Sequence, residues 1–441
     1  MQRILVAGAG HGGLVAAAKL AKRGFDVTVI EKEARAALGH DWEDRFTFSL
    51  PETLLGIREA DFPAGSWRVR GDCAFISPAK RKRVEIFYDE TQAQRVMWRK
   101  PLIGLLLDAA EAAGVNFLFE TPVLGPLLQG DRVTGLRTEA GEMEAALVID
   151  AAGVFSPVRM GLPAACEIEQ SPQRGDLFYA WRGYFNKIDG TMPRCPFEVS
   201  LYHEGEQGLS WCCTNPDSVD LLIGRIDPLT DEKVRVQIGN YKKDHPWIGD
   251  RLLHGGQYGR IPVRRPLTLL VADGYAAVGD SAFMTTPMNG MGIDLSMQAG
   301  ALLAETVAAN VGQPMTAEVL WEYNRRYHIE YGAAASKNAG LKNALLSLPS
   351  AGVDFLFEQS VIQAADLAGA GKNMQLGALL GKFVRGMKNP PWFFAVLRGL
   401  IKGGKAAGLY AAPPQAFDRA AIRAWDAKIR ACDLKIAGPQ A

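Results

Sequence analysis

Ile4-Leu5-Val6-Ala7-Gly8-Ala9-Gly10-His11-Gly12-Gly13 stands near the start of the chain, and its reading decides the fold. The apolar run from Ile4 to Ala7 predicts a buried strand, and Ala, Leu and Lys at helical spacing predict a helix from Leu14 to Arg23. Gly24 stops that helix, and Val27 to Ile30 predicts a second buried strand. Strand, glycine turn, helix and strand make one βαβ unit, and the turn matches G-x-G-x-x-G. In that setting Gly8 permits the tight turn and Gly10 lets the backbone approach a pyrophosphate, while Gly13, after Gly12, lets the helix pack close to the sheet. The free N–H groups and positive end of the helix then face phosphates. Glu31 closes the second strand and can accept hydrogen bonds from an adenosine ribose, with Lys32 beside it in the same nucleotide-binding set. A carboxylate there repels a 2′-phosphate, so the unit predicts NAD or FAD and disfavours NADP.

Around this unit the composition is that of an ordinary globular chain. Its 441 residues carry 49 Lys and Arg against 48 Asp and Glu, a net charge of +1, which excludes a general electrostatic binder of nucleic acid. The length predicts two or three domains. Cys73, Cys166, Cys195, Cys212, Cys213 and Cys432 are scattered and form no C-x-x-C pair. That spacing disfavours a zinc site, a disulfide framework or a redox dithiol, and it predicts a reducing cytoplasm. No signal peptide is expected before the first strand, and no apolar run is long enough for a spanning helix.

Further along, residues 39–70 read as loops with short helical pieces. Strands are predicted at Val84–Tyr88, Val115–Phe119, Val133–Arg137 and Ala145–Asp150, and a helix at Pro101–Ala113. From Pro163 to Pro266 the texture changes to strand-like segments: Phe178–Tyr184, Phe197–Tyr202, Leu209–Cys213 and Ser218–Arg225. They predict an antiparallel substrate sheet inserted into the nucleotide domain. Tyr275–Val278 returns to a buried strand, Ile293–Ala309 is a helix, and beyond Thr316 nearly everything reads as helix. The expected class is an α/β Rossmann-like FAD-binding domain with that α+β insertion and a C-terminal helical region. The expected division is 1–160 and 265–330 for the nucleotide domain, with substrate-sheet strands near 75–97, then 161–264 for the sheet and 331–441 for the helices.

Two later segments choose flavin through a resemblance. Val148-Ile149-Asp150-Ala151-Ala152-Gly153-Val154-Phe155-Ser156-Pro157-Val158-Arg159 resembles the D-G-x-x-S-x-V-R segment of FAD enzymes of the aromatic-hydroxylase type, with Ala151-Ala152 replacing part of it. Gly274 to Ala282 resembles their Gly-Asp motif, and Pro287-Met288-Asn289-Gly290-Met291-Gly292-Ile293 their P-x-x-G-x-G-I. The whole set is most similar to the geranylgeranyl reductase-like branch, over roughly residues 1–330. The resemblance implies an FAD cofactor and an Arg near the flavin nucleotide, a place that Arg99 fills. Apart from the family, Asp280 at a strand end can accept from a ribityl hydroxyl. The glycines opening the next helix let its N-terminus lie against the flavin edge where charge accumulates.

Pocket walls are expected from Trp181, Tyr184, Tyr202, His203, Trp211, Cys212 and Cys213 in the sheet, and from Phe283, Met284, Met288 and Met291 beside the flavin motif. Aromatic and Met side chains suit a lipophilic small molecule, although aromatics in a sheet are more often plain core. The reductase branch carries Y-x-W-x-F-P here, and Leu209-Ser210-Trp211-Cys212-Cys213-Thr214 keeps only the Trp. The W-x-W-x-I-P of flavin halogenases is absent. Gly39-His40-Asp41-Trp42-Glu43-Asp44-Arg45 packs acids, a His and a Trp into a loop able to reach the flavin, so His40 and Asp41, with Trp211 and Cys212, are the candidate catalytic groups. A solvated charged loop is the plainer reading. No histidine spacing suggests a metal. The predicted activity is reduction of C=C bonds in an isoprenoid-like substrate, with electrons from NAD(P)H or a reduced carrier. The alternatives are an NAD(P)H-dependent monooxygenase of an apolar substrate and a non-catalytic FAD-binding or membrane-docked protein.

Residues 372–410 contain no Asp or Glu, but they interleave Lys372, Lys382, Arg385, Lys388, Arg398, Lys402 and Lys405 with Leu, Phe, Trp and Ile. Such a stretch fits a helix pair lying on a membrane surface and fits a helical lid or dimer contact equally well.

Overall fold

In the computed structural model, which describes residues 2–89, 94–367, 376–434 and 436, the first strand is Arg3–Ala7 and lies inside a parallel sheet. The strand order is Tyr275–Ala277, Leu147–Asp150, Arg3–Ala7, Asp26–Ile30 and Asn116–Leu118, with Val271–Ala272 antiparallel at one edge. Register aligns Ala7 with Ile30 and with Asp150, and Asp150 with Ala277. The carboxyl ends of four strands therefore finish level, and the segments leaving them share one edge. That edge is where open α/β sheets bind ligands.

The first helix, His11–Ala21, begins inside the glycine turn, earlier than its apolar spacing predicts. Its start packs on the helix Ile293–Ala309, with Gly12 and Gly300 in backbone contact. Arg99–Ala112 also packs against His11–Ala21.

The inserted sheet runs in the order Ile248–Pro262, Leu177–Lys187, Ser218–Arg225, Gly208–Thr214, Phe197–Leu201, Cys73–Ile76 and Arg83–Ile86. Its pairs are antiparallel except Phe197–Leu201 with Cys73–Ile76. Of the segment 75–97, the part from Gln94 to Trp98 pairs elsewhere, with Glu43–Arg45 and Trp67–Arg70 in a small sheet. The helix Asp231–Asp244 covers one face of the inserted sheet. Thr230 caps it, acids fill its first turn, and Lys242 and Lys243 complement its last.

Helices follow from Ala317 onward, apart from connecting turns. Ala333–Leu346 and Pro390–Tyr410 approach backbone to backbone: a Cβ on Gly340 would lie 2.5 Å from the Gly403 Cα. Only a hydrogen side chain admits that spacing. Of the predicted tail, residues 372–375 and the side chains of 376–380 lie outside the described residues. Among the described residues no helix is long and apolar enough to cross a membrane.

Candidate functional site

At the level strand ends the first turn has the geometry of a phosphate cradle. Gly8 has φ +91°, and a Cβ there would meet the Ala151 carbonyl oxygen at 2.6 Å. The helix that follows has Gly10 as its N-cap, with no side-chain cap and no acid in its first turn. Its first N–H groups are left for an outside acceptor. Glu31 is buried; its carboxylate accepts from the Ala9 N–H at 2.8 Å and the Glu33 N–H at 2.9 Å. Two oxygens with about four acceptor positions leave capacity for ribose hydroxyls. Lys32 points to solvent, 3.7 Å from Glu33.

The second motif builds the turn that presents Asp280. The fully buried Asp150 accepts from Ser156 Oγ at 2.6 Å, Tyr275 Oη at 2.9 Å and the Ala152 N–H at 3.1 Å. Ser281 Oγ donates to the carbonyls of Asp150 and Val278, and Arg159, equally buried, donates to those of Ser281, Val154 and Gln170. The Phe283 ring lies between the guanidiniums of Arg159 and Arg264, at 4.8 and 4.7 Å. With the turn so fixed, Asp280 is left without a protein hydrogen-bond donor to its carboxylate among the described residues. Burial pushes its pKa up to about 6, against the opposing charge of Arg99. The next helix opens at Gly292, again without a side-chain cap, and Gly290 rests against Ile261 of the inserted sheet. Pro287 is buried in this connection, Met288, Met291 and Gly292 are half-buried, and Ile293 is buried at the helix start.

Arg99 ties the loop 39–45 to this edge. Its guanidinium grips Asp44 with two bonds, at 2.5 and 2.9 Å, and donates to His40 Nδ1 at 3.2 Å. Burial works to raise the Asp44 pKa, but Arg99 outweighs it and holds the carboxyl below its ordinary value. His40 bonds the Tyr258 carbonyl through Nε2 at 3.3 Å and stacks on Trp42 at 4.5 Å. Burial and then Arg99 lower the His40 pKa. Both ring nitrogens are thus engaged, and His40 is a neutral wedge with no free proton to give. Burial and Arg99 likewise push His11 down to about 4, and its Nε2 is buried without a partner beside the phosphate cradle. The Arg expected at the flavin nucleotide therefore contacts protein groups, with Asp280 within reach of its charge.

The two faces of the inserted sheet divide the expected pocket walls. Trp181 and Cys212 lie on the face covered by Asp231–Asp244, in the core with Phe185, Leu221 and Tyr241. Alternation along each strand points them away from the nucleotide edge. Cys212 is sealed there and burial raises its thiol pKa well above the ordinary range, so it is no proton donor. Tyr202 packs under the C-terminal helices and donates to the carbonyls of Leu345 and Leu348, at 3.0 and 3.2 Å. Phe283 and Met284 are fully buried behind the Asp280 turn. Trp211 donates to Asp220 at 3.2 Å and faces the guanidiniums of Arg182 and Arg70. Arg182 holds Asp220 with two bonds, at 2.8 and 2.7 Å, so Trp211 belongs to a buried ion pair and is not a free acid. Tyr184, next to that pair, accepts from the Glu43 N–H at 2.9 Å.

One group at this edge carried no signal in the sequence. His254, opposite Tyr184 in the register, lies 3.3 Å from Asp41 through Nδ1, and its ring sits 5.1 Å from that of Trp98. It lies in a Gly-rich stretch that reads as loop.

A glycine cradle under an uncapped helix, a buried carboxylate at the end of the second strand, an unpartnered carboxylate at a neighbouring strand end and a second uncapped helix start form donor and acceptor sets that fit FAD. Fold and site define an FAD-dependent oxidoreductase. Residues 6–46 match the model of the NAD(P)-binding Rossmann-like domain. The chain is 25% identical over 350 residues to the digeranylgeranylglycerophospholipid reductase of Haloferax volcanii, covering 74% of this chain and 81% of that protein. Its identity to the enzyme of the same name from Methanothrix thermoacetophila is 25% over 395 residues, covering 87% and 95%. A geranylgeranyl bacteriochlorophyll reductase-like protein from Thermoplasma acidophilum has the same fold, with TM-score 0.71 at 17% identity, over 90% of this chain and 99% of that one. In sequence and fold the chain is thus similar to proteins of the geranylgeranyl reductase type.

Proposed function

We propose that the protein reduces carbon–carbon double bonds of a lipophilic, isoprenoid-like substrate, using FAD and an external electron donor. The observation that carries this reading is the Asp280 turn: a carboxylate without a protein donor among the described residues, at the same strand-end edge as the glycine cradle and within reach of the charge of Arg99, which holds the loop 39–45. Relatives named for the reduction of a geranylgeranyl lipid, matched over most of the chain, supply the substrate class.

Bound FAD supplies the hydride. The chain's own residues hold and enclose it. The N–H groups behind Gly10 take the pyrophosphate, Glu31 the adenosine ribose and Asp280 a ribityl hydroxyl. The Gly292 helix start, whose first-turn Asp294 is engaged by Thr47, would face the negative charge of a reduced flavin. Arg99, by gripping Asp44 and His40, fixes the loop 39–45 beside the site.

The tail has a task in the same reading. Phe383 and Val384 on one helix, Met387 in the turn after it and Phe394, Leu400 and Ile401 on the next helix are exposed, with Arg398 and Lys405 among them. Residues 372–410 contain no Asp or Glu, and Asp366 beside them is taken up by Lys382; apolar side chains beside Arg398 and Lys405 complement an anionic lipid surface, and we assign these helices to peripheral docking there.

The test is anaerobic. Purified enzyme reduced with dithionite is mixed with an unsaturated polyprenyl phospholipid. Flavin reoxidation together with a saturated product is expected. An oxygenated product formed only in air points instead to a monooxygenase, and no lipid-dependent change under either condition leaves a non-catalytic flavoprotein.

A further inference from the structure

Saturating a double bond adds a hydride to one carbon and a proton to the other, and the site described so far holds no evident proton donor. Of the six histidines, His11 and His40 are kept neutral at the cradle and His203, His245 and His328 are buried. His254 differs from all of them. Its side chain is 53% exposed, and among the described residues Nδ1 meets Asp41 Oδ2 at 3.3 Å while Nε2 meets no protein group.

Asp41 is itself locked. Its carboxylate also accepts from the Gly255 N–H at 3.3 Å, and its own N–H donates to Gln257 at 2.7 Å. The strand bulges there, with Gly255 and Gly256 at φ +74° and +70° and a shift in register against Arg182 and Gly183. A bulge of this kind re-aims a side chain. The imidazole comes to rest 5.1 Å from the ring of Trp98, the residue before Arg99, and edge-on to Tyr184 at 6.4 Å. Other charges nearby are Arg182, Asp220 and Glu43, which act on the neighbouring Tyr184, and Arg99, which is bonded to His40.

We propose that His254, oriented by Asp41, delivers the proton to the substrate carbon; the proposal rests on the C=C reduction argued above. In the step the Nε2–H bond breaks as a C–H bond forms at the less substituted alkene carbon. The hydride, with the electron pair of the reduced flavin, completes the other carbon, and solvent reprotonates His254. Positive charge building on the tertiary carbon meets the half-buried indole of Trp98, whose face attracts cations. A carboxylate fixing one imidazole nitrogen while the other faces the reacting atom is a general acid–base arrangement.

The test has two parts. In the FAD-free chain, diethyl pyrocarbonate with peptide mapping is expected to modify His254 faster than the other five histidines, and an unsaturated polyprenyl phospholipid is expected to protect it. In the FAD-loaded enzyme, His254→Gln is expected to slow lipid-driven flavin reoxidation about 100-fold, with FAD binding and dithionite reduction unchanged. Asp41→Asn is expected to lower kcat without raising KM. A wild-type enzyme that saturates no lipid overturns the reduction reading itself. A wild type that does so, with His254→Gln equally fast or His254 unprotected by lipid, overturns the assignment of His254 alone.

Discussion

Asp280→Asn separates what the carboxylate does for the cofactor from what it costs the fold. In the FAD-free protein, burial raises the Asp280 pKa from 3.8 to about 6. An acid with a folded pKa above its unfolded one binds its proton more tightly when folded, so stability is lost as pH rises from the unfolded value through the folded one. Each pH unit separating the two values is worth about 1.4 kcal/mol, which gives roughly 3 kcal/mol at pH 8. That is an upper limit, because Asp280 is only half-buried and solvent screens part of its charge. Asn carries no charge at any pH. The substitution is therefore expected to stabilise the FAD-free protein by up to about 3 kcal/mol at pH 8 and by under about 1 kcal/mol near pH 4, where wild-type Asp280 is largely protonated. Loss of a charge-assisted hydrogen bond to a ribityl hydroxyl costs about 1.5–3 kcal/mol, or roughly 10- to 150-fold in FAD affinity. Urea unfolding of the FAD-free variant at both pH values and a fluorescence titration with FAD read the two effects. A variant less stable than wild type at pH 8, or one that binds FAD equally well, refutes the reasoning.

Gly12→Val sets a branched side chain against the Ser296 carbonyl on the neighbouring helix, so it is expected to abolish FAD retention on purification and to lower the melting temperature of the FAD-free chain by several degrees. His328 is fully buried, and burial lowers its pKa to about 3; the unfolded chain takes up a proton below about pH 6.5 that the folded chain refuses, and stability falls as pH drops through that window. His328→Gln is expected to flatten the fall between pH 6.5 and 4.5 by about 1.4 kcal/mol per pH unit, and an unchanged slope in urea unfolding removes His328 as its source. For the tail, Arg398→Glu with Lys405→Glu is expected to weaken sedimentation with phosphatidylserine vesicles about tenfold or more, at roughly 1 kcal/mol per cation. Equal binding by the pair variant, or equal binding of wild type to phosphatidylcholine vesicles, defeats the docking assignment.

The parts of this fold that were legible in the sequence are those whose signal is local. The turn Gly8 to Gly13, the buried runs at Val27 and Tyr275 and the helix Ile293–Ala309 each announce themselves within a few residues, because a buried parallel strand is apolar along its whole length. The strand Ile248–Pro262 was not legible. It is an edge strand, mostly exposed and broken by a glycine bulge, so apolar alternation never develops. The helix Asp231–Asp244 escaped for a related reason: it buries only Val234, Gln237 and Tyr241, and its other positions are polar or half-exposed. Missing that helix hid which face of the sheet Trp181 and Cys212 occupy, and so placed them wrongly beside the substrate. The Arg182–Asp220 pair was hidden as well, since its partners stand 38 positions apart and nothing in either neighbourhood requires the other.

Those long-range pairs also change the meaning of the net charge. Inside the protein Arg182, Arg264 and Arg265 are buried, and Asp220, Glu169, Asp176 and Asp433 neutralise them at the seams between sheets and helices. A buried guanidinium left alone is costly, so these carboxylates are committed to the fold and contribute little field outside it. Arg398 and Lys405, by contrast, have no carboxylate partner among the described residues. Exposed charge is felt over about 8–10 Å at physiological salt, far less than the span of the molecule. A surface therefore responds to the cations facing it and not to the sum over the chain. A protein with a formal charge of +1 presents cations beside exposed apolar side chains in one place because its acids lie elsewhere, several of them committed to buried arginines at the seams of the fold.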